Sequence, residues 1–143
     1  MNDDAIRSPY WALRLTFGLV PIVAGLDKFF NLITYWPKYI APQAAEMLPV
    51  SGQSFMYAVG VIEIVAGLLV LSPLVRTGAY VVSAWLIAIA ANLVMGGFYD
   101  IAVRDVVMSV SAFALGQLAA AYQPGTVTAR GRSTRMEYAP SGA

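Results

Sequence analysis

The chain contains neither cysteine nor histidine. Without cysteine it forms no disulfide, ligates no iron–sulfur cluster and performs no thiol chemistry. Without histidine it also lacks the usual axial ligand for haem and the commonest ligand for zinc or copper. We therefore expect no metal and no covalently attached cofactor. Any redox chemistry in which the protein takes part must be carried by another subunit or by a bound organic molecule.

Charged residues are also scarce. They make up 12% of the 143 residues, whereas hydrophobic residues make up 59%, and the mean hydropathy is +0.66. A soluble domain of this length needs more polar surface to cover its core. The net charge of +1 excludes a strongly basic nucleic-acid-binding protein, because such binding requires a clustered positive surface. The composition predicts an integral membrane protein in contact with the lipid bilayer.

Four apolar segments are long enough to cross a bilayer, which takes about 20 residues per helix. We predict an all-α fold, a four-helix transmembrane bundle over residues 1–125, with helices at residues 10–32, 55–71, 78–95 and 101–122. Ser8 and Pro9 suit the N-cap and first turn of the first helix. The polar, aperiodic residues 126–143 predict a disordered cytoplasmic tail.

Arginine and lysine set the predicted orientation. With four spans, both termini share a side with the second connection, and that side carries six basic residues against three on the other. The positive-inside rule then predicts that both termini are cytoplasmic.

The first connection, residues 31–52, is long and carries four residues typical of a membrane interface: Tyr35, Trp36, Lys38 and Tyr39. Aromatic side chains of this kind prefer the headgroup layer, so we expect the segment to lie flat as an interfacial cap. Two interpretations stay open. The cap either anchors the protein only, or it covers a site between helices, as long loops often do.

Glu63 lies in the middle of an apolar run, residues 55–71. The chain from Gln53 to Glu63 rises about 15 Å as a helix, which is half of the hydrocarbon core. A charge at that depth costs about 2.5 to 3.5 kcal/mol on insertion scales, so such residues usually face a bundle interior. Gly60 and Gly67 share the face of Glu63 and favour close helix packing there.

Further polar residues are predicted at the end of the bundle that carries the long connection. Lys28 ends the first helix there, about 10 Å from the depth of Glu63, a gap that a lysine stem can largely close. We therefore predict a buried polar network or ligand-binding site, with Asn92 as an amide bridge. Its candidate residues are Lys28, Glu63, Asn92, Arg104 and Asp105.

A structural role for these charges is the alternative. Asp27, Lys28, Arg104 and Asp105 lie near predicted helix ends, where water can reach them, and Asp27 projects away from Lys28. Arg14 lies near the opposite boundary, where basic residues fix topology.

Several short motifs occur in a characteristic order along the chain. They are Arg14, the GLDKF segment at 25–29, Glu63 followed by Ala66 and Gly67, Arg76, and Arg104 with Asp105. This pattern resembles the DoxX-like family of small four-helix bacterial membrane proteins. The resemblance implies a location in the inner membrane and an association with quinol oxidase or thiosulfate:quinone oxidoreductase systems.

Three functions remain open. The favoured one is an accessory or quinone-interacting subunit of a membrane redox complex, in which Lys28, Arg104 or protonated Glu63 donates hydrogen bonds to a bound quinone. The second is a structural or assembly protein whose buried charges fix helix pairing, and the third is a small-molecule or proton-coupled carrier that uses Glu63. We assign no catalytic residues, because the nucleophile systems that use His or Cys are excluded. Acid–base chemistry by the carboxyl groups of Glu63, Asp105 or Asp27 stays open. Bound lipid, other redox subunits and a second copy of the chain are the candidate partners.

Overall fold

The structure is a computed structural model that describes residues 3–122, and no strand occurs within that range. The helices, in chain order, are α1 (Asp3–Asp27), a 3-10 helix (Trp36–Tyr39), α2 (Pro42–Met47), α3 (Gly52–Leu71), α4 (Val75–Met95) and α5 (Tyr99–Ala121). The predicted all-α fold is confirmed, with α1, α3, α4 and α5 as the four long helices. The predicted tail, residues 126–143, lies outside the described residues.

The four long helices are apolar enough to span a membrane, with mean hydropathies from 1.3 to 2.2. No more than 39% of any of these apolar stretches is buried inside the protein. Large apolar side chains such as Leu19, Val23, Val61 and Val107 are more than half exposed instead. Surfaces of this composition suit lipid tails, because they would be unfavourable in water. The protein is a multi-pass membrane protein.

Consecutive long helices run antiparallel. In the packing, α1 lies along α3 and α4 lies along α5, and contacts between α3 and α4 join the two pairs. Residues 72–74 connect α3 to α4, and residues 96–98 connect α4 to α5. Residues 28–51 connect α1 to α3, and we call this segment the aromatic loop. The end of the bundle that carries it is the loop end, and the opposite end is the terminal end.

The bounds of α1 differ from the predicted 10–32. The helix begins at Asp3 and includes Pro9. The helix tolerates this proline because the missing N–H leaves only the carbonyl of Ala5 without a helical donor, and Ala5 is exposed. It ends at Asp27, whose carboxylate accepts hydrogen bonds from the backbone N–H groups of Leu32 and Ile33 and so holds the chain in a turn. The other three spanning helices begin two or three residues earlier than predicted.

Glycines allow α1 and α3 to approach closely. A methyl group added at Gly60 would lie 2.6 Å from the carbonyl oxygen of Gly25, and one added at Gly67 would lie 2.5 Å from that of Gly18. Neither distance is tolerated between non-bonded atoms. The backbones of the two helices are therefore in direct contact at two levels, as small residues permit in membrane helix pairs.

The ends of α1 and α3 are not level. Gly25 lies opposite Gly60, and α3 begins eight residues before Gly60, so it continues about 12 Å towards the loop end. From Gly25, α1 continues only about 3 Å. The aromatic loop occupies the remaining space, where Ile40 packs with Met56 and Val59 of α3. Residues at the end of α1 are therefore covered by the loop.

Candidate functional site

Lys28 and Glu63 form a buried ion pair between α1 and α3. The Lys28 Nζ donates to Glu63 Oε2 at 2.6 Å, and the two side chains are 4% and 10% exposed. A methyl group on Gly60 would lie 3.3 Å from the Lys28 Cβ, so Lys28 is one helical turn from the level of Glu63. The gap of about 10 Å expected from the sequence is smaller in the structure, because α1 ends deeper than α3 begins.

The indole ring of Trp36 covers the ammonium group. The Lys28 Nζ lies 3.7 Å from the ring centroid, and a desolvated cation–π contact of this kind contributes about 2 kcal/mol. The Trp36 Nε1 donates to Asp27 Oδ2 at 2.8 Å. Asp27 thus fixes the ring that lies over Lys28.

Asp27 organises the first half of the aromatic loop. Its carboxylate accepts from the backbone N–H groups of Leu32 at 2.9 Å and Ile33 at 3.0 Å, in addition to the Trp36 indole. Three donors stabilise a buried carboxylate without a cation. Sequence reasoning expected a hydrated Asp27 and missed this role. The available signal was an acidic residue at a helix end, directly before a long loop.

Asn92 fixes the second half of the same loop to α4. Its Oδ1 accepts from the backbone N–H of Ala41 at 3.0 Å, and its Nδ2 donates to the carbonyl oxygen of Tyr39 at 2.7 Å. The predicted amide bridge between charged side chains is thus corrected, because both ends of the amide are occupied by loop backbone. Asn92 supports the site by holding its cover in place.

The four predicted cap residues point in two directions. Tyr35 and Lys38 are exposed, whereas Trp36 and Tyr39 are partly buried. The Tyr39 ring packs edge-on against Phe98 with centroids 5.1 Å apart. The inward pair closes the loop end of the bundle, and the position of the outward pair in a membrane interface stays a prediction.

Arg104 does not join the ion pair, which corrects the predicted network. Its side chain is exposed, and no hydrogen bond or salt bridge connects it to another residue in the range 3–122. The cause is helical geometry, because adjacent residues project about 100° apart. Since Asp105 faces the interior, Arg104 faces outwards.

Asp105 and Trp85 bring two more polar groups towards Glu63. Asp105 is 7% exposed and lies within electrostatic range of the Glu63 carboxylate, but it has no hydrogen-bond partner among the residues described. The buried Nε1 of Trp85 on α4 lies beside Glu63 without an acceptor in hydrogen-bond geometry. Sequence reasoning did not single out Trp85, because a tryptophan in an apolar helix carries no distinctive signal.

Arg14 has a different role at the terminal end. Its guanidinium donates to the carbonyl oxygens of Val70 at 3.1 Å, Leu71 at 2.9 Å and Ser72 at 3.0 Å, and it lies 5.0 Å from the ring centroid of Trp11. These carbonyls end α3 and lack helical donors, and a cation at a helix C-terminus also stabilises the helix dipole. Arg14 is therefore a cap for α3, where sequence reasoning expected a topology anchor.

The Lys28–Glu63 site, defined as Lys28, Glu63, Trp36, Trp85 and Asp105, combines donors and acceptors inside an apolar bundle. In the described part of the chain no three acidic side chains are grouped to ligate a metal. The ammonium and the Trp85 indole can donate hydrogen bonds, and the carboxylates can accept or exchange protons. Such a set can recognise a small polar ring or move a proton.

Fold and site together define a multi-pass helical membrane protein with a loop-covered ion pair. The sequence model of the DoxX protein family matches residues 10–99, which is more than half of the chain. The protein belongs to the DoxX family. The matched range contains Arg14, Lys28, Glu63 and Asn92 and ends before Asp105. Neither the curated proteins nor the solved structures give a significant match.

Proposed function

We propose that the protein is a non-catalytic accessory subunit of a membrane redox complex, and that the Lys28–Glu63 site binds the headgroup of a quinone. The resemblance to the DoxX family supports the redox association and a bacterial inner membrane. The excess of basic residues at the terminal end supports cytoplasmic termini. In that orientation, the aromatic loop lies on the periplasmic side and covers the site.

The observation that carries this proposal is the set of polar groups around Glu63. A quinone presents two carbonyl oxygens, and the reduced quinol presents two hydroxyl groups, on one flat ring. Lys28 and the Trp85 Nε1 can donate to the former, and Glu63 can accept from the latter. The Trp85 N–H has no acceptor among the described residues, so a ligand oxygen would remove an unfavourable buried donor.

Trp36 covers the site in the structure, with Lys28 nearly inaccessible beneath it. A quinone ring therefore enters by displacing the indole or by stacking against it. Asp27 and Asn92 hold the aromatic loop on either side of the 3-10 helix Trp36–Tyr39. A rotation of the Trp36 side chain would uncover Lys28, with the loss of the hydrogen bond to Asp27 and of the contact between the indole and the ammonium group.

Electron transfer requires a partner subunit. The chain has no cysteine or histidine to hold an iron–sulfur cluster or haem in the usual way. The long helices expose wide apolar surfaces on which helices of a redox partner can pack. The role proposed for this subunit is to hold a quinone next to the partner's redox centre.

The test is purification from native membranes in mild detergent, followed by mass spectrometry of retained quinones and of co-purifying subunits. We expect the wild-type protein to retain quinone and a redox subunit. Glu63→Gln and Trp36→Ala should lower quinone retention at least tenfold. The matched control is Trp11→Ala at the terminal end, which removes a tryptophan far from the site and should retain quinone. Absence of quinone and redox partner from the wild-type preparation would contradict the proposal.

A structural role is the second candidate, and one observation favours it. The Lys28–Glu63 pair closes the same α1–α3 interface at which Gly25 and Gly60 meet, so it also fixes the register of the two helices. The double variant Lys28→Met/Glu63→Met separates the two functions. If the pair only fixes helix packing, that variant should fold and retain its partner and quinone; if the pair binds quinone, it should fold and lose the quinone.

A further inference from the structure

We propose that Asp105 is a proton-binding site, and that it holds its proton at neutral pH as a carboxylic acid inside the bundle. This inference goes beyond quinone binding and does not depend on it. It follows from the position of Asp105, from the charges around it and from the hydrogen bonds that it lacks.

Asp105 lies in the second turn of α5, about 9 Å along the helix from Tyr99. It faces the interior together with Ala102, Ser109 and Ala112, which are all buried. The residue as a whole is 7% exposed. Water therefore solvates a charge on Asp105 poorly, and protein groups would have to stabilise it.

Among residues 3–122, no neighbouring element supplies a free cation. The cation of α1 is Lys28, which is already paired with Glu63 of α3 at 2.6 Å. Glu63 itself lies close enough to repel a charged Asp105. Helix α4 presents no titratable residue to this part of the interior, and Arg104 of α5 projects outwards. Lys28 is thus committed to Glu63, and no cation of the described residues is left to neutralise a charge on Asp105.

Hydrogen bonding decides which carboxyl group carries the proton. Glu63 accepts from the Lys28 ammonium, the arrangement that stabilises a carboxylate. Asp105 accepts from no residue in the described range. The nearest hydroxyl along its face, Ser109, donates instead to the carbonyl oxygen of Ser83 at 2.8 Å. Asp27, in contrast, is a buried carboxylate with three N–H donors. Asp105 has the surroundings of a neutral acid.

Infrared difference spectroscopy of the reconstituted, quinone-free protein tests this assignment. We expect a carbonyl band of a protonated carboxylic acid at neutral pH, which shifts in D₂O, whereas the ester carbonyls of lipids do not shift. The band should disappear in Asp105→Asn and persist in the control Asp100→Asn, which changes the exposed acid of the first turn of α5. It should also persist in the double variant Lys28→Met/Glu63→Met.

Three results would overturn the inference: no acid band in the wild type, a band that survives Asp105→Asn, or a band that disappears only with Glu63. Thermal unfolding provides a second measurement. Asparagine is a neutral isostere of a protonated aspartic acid, so Asp105→Asn should unfold within a few degrees of the wild type. A large loss of thermal stability would show that an ionised Asp105 has a structural partner. Both measurements use quinone-free protein. A negative result in either one would therefore count against the protonation of Asp105 and not against quinone binding.

Discussion

The Lys28–Glu63 pair makes a sharp prediction for membrane-protein stability. Lys28→Met leaves Glu63 buried without a cation, and Glu63→Met leaves Lys28 in the same state. Removing one member of a buried pair typically costs about 3 to 5 kcal/mol. The stranded glutamate can reduce its loss by taking up a proton, which from an ordinary pKa near 4.3 costs about 3.7 kcal/mol at pH 7. We therefore expect each single variant to lose about 3 to 4 kcal/mol.

The double variant Lys28→Met/Glu63→Met should behave differently. It strands no charge, and the two methionines fill similar volume with apolar atoms, a replacement that is often neutral or stabilising. It also loses the contact between Lys28 and the Trp36 ring at 3.7 Å, which limits any gain. A net loss of about 1 kcal/mol for the double variant implies a coupling energy of about 5 to 7 kcal/mol between the two positions.

The assay is reversible unfolding in mild detergent by added SDS, followed by circular dichroism for all variants in parallel. Glu46→Met on α2 is the control, because Glu46 is exposed and its substitution should change stability by less than about 0.5 kcal/mol. Single variants that lose less than about 1 kcal/mol relative to this control, close to the effect of an ordinary surface substitution, would refute a tightly coupled pair. So would a double variant whose loss equals the sum of the two single losses.

Two further predictions concern the supports of the site and of the bundle. Arg14→Lys keeps the charge but loses the planar group that reaches three carbonyls at the end of α3, and we expect a loss of about 1.5 to 3 kcal/mol. Thermal unfolding measures it against exposed Arg7→Lys, and equal midpoints would contradict the capping role. Asn92→Leu removes both hydrogen bonds to the aromatic loop, so amide exchange at residues 36–41 should accelerate severalfold while α3 stays protected. Unchanged exchange, measured by mass spectrometry, would show that other contacts hold the loop.

The long helices and the buried glutamate could be predicted from sequence because the membrane penalises polar groups. An apolar run of about 20 residues has few alternatives to a spanning helix, and a charge such as Glu63 within it must face the interior. Glycine spacing on α3 indicated the face that packs against α1. These signals are local in sequence, so each one can be recognised without the tertiary structure.

The end of α1 and the partners of its polar residues could not be predicted in this way. Phe29, Phe30, Leu32 and Ile33 continue the apolar run but lie in the loop, and hydropathy does not distinguish these states. The partners of Asp27 and Asn92 are mostly backbone atoms of the aromatic loop, which have no residue-specific signal. The charge of Arg104 suggests a partner in the interior, but its helical position beside the buried Asp105 turns its side chain to the exposed face of α5.

Photolabelling tests the central claim, quinone binding at the Lys28–Glu63 site, most directly. The intact protein in native membranes is labelled with a photoreactive quinone analogue, and the labelled peptides are mapped by mass spectrometry with and without excess unlabelled quinone. The account predicts labels on the 3-10 helix Trp36–Tyr39 and on α3 near Glu63 that unlabelled quinone suppresses and Glu63→Gln abolishes. Labels confined to lipid-facing side chains, or labels that unlabelled quinone does not suppress, would contradict it.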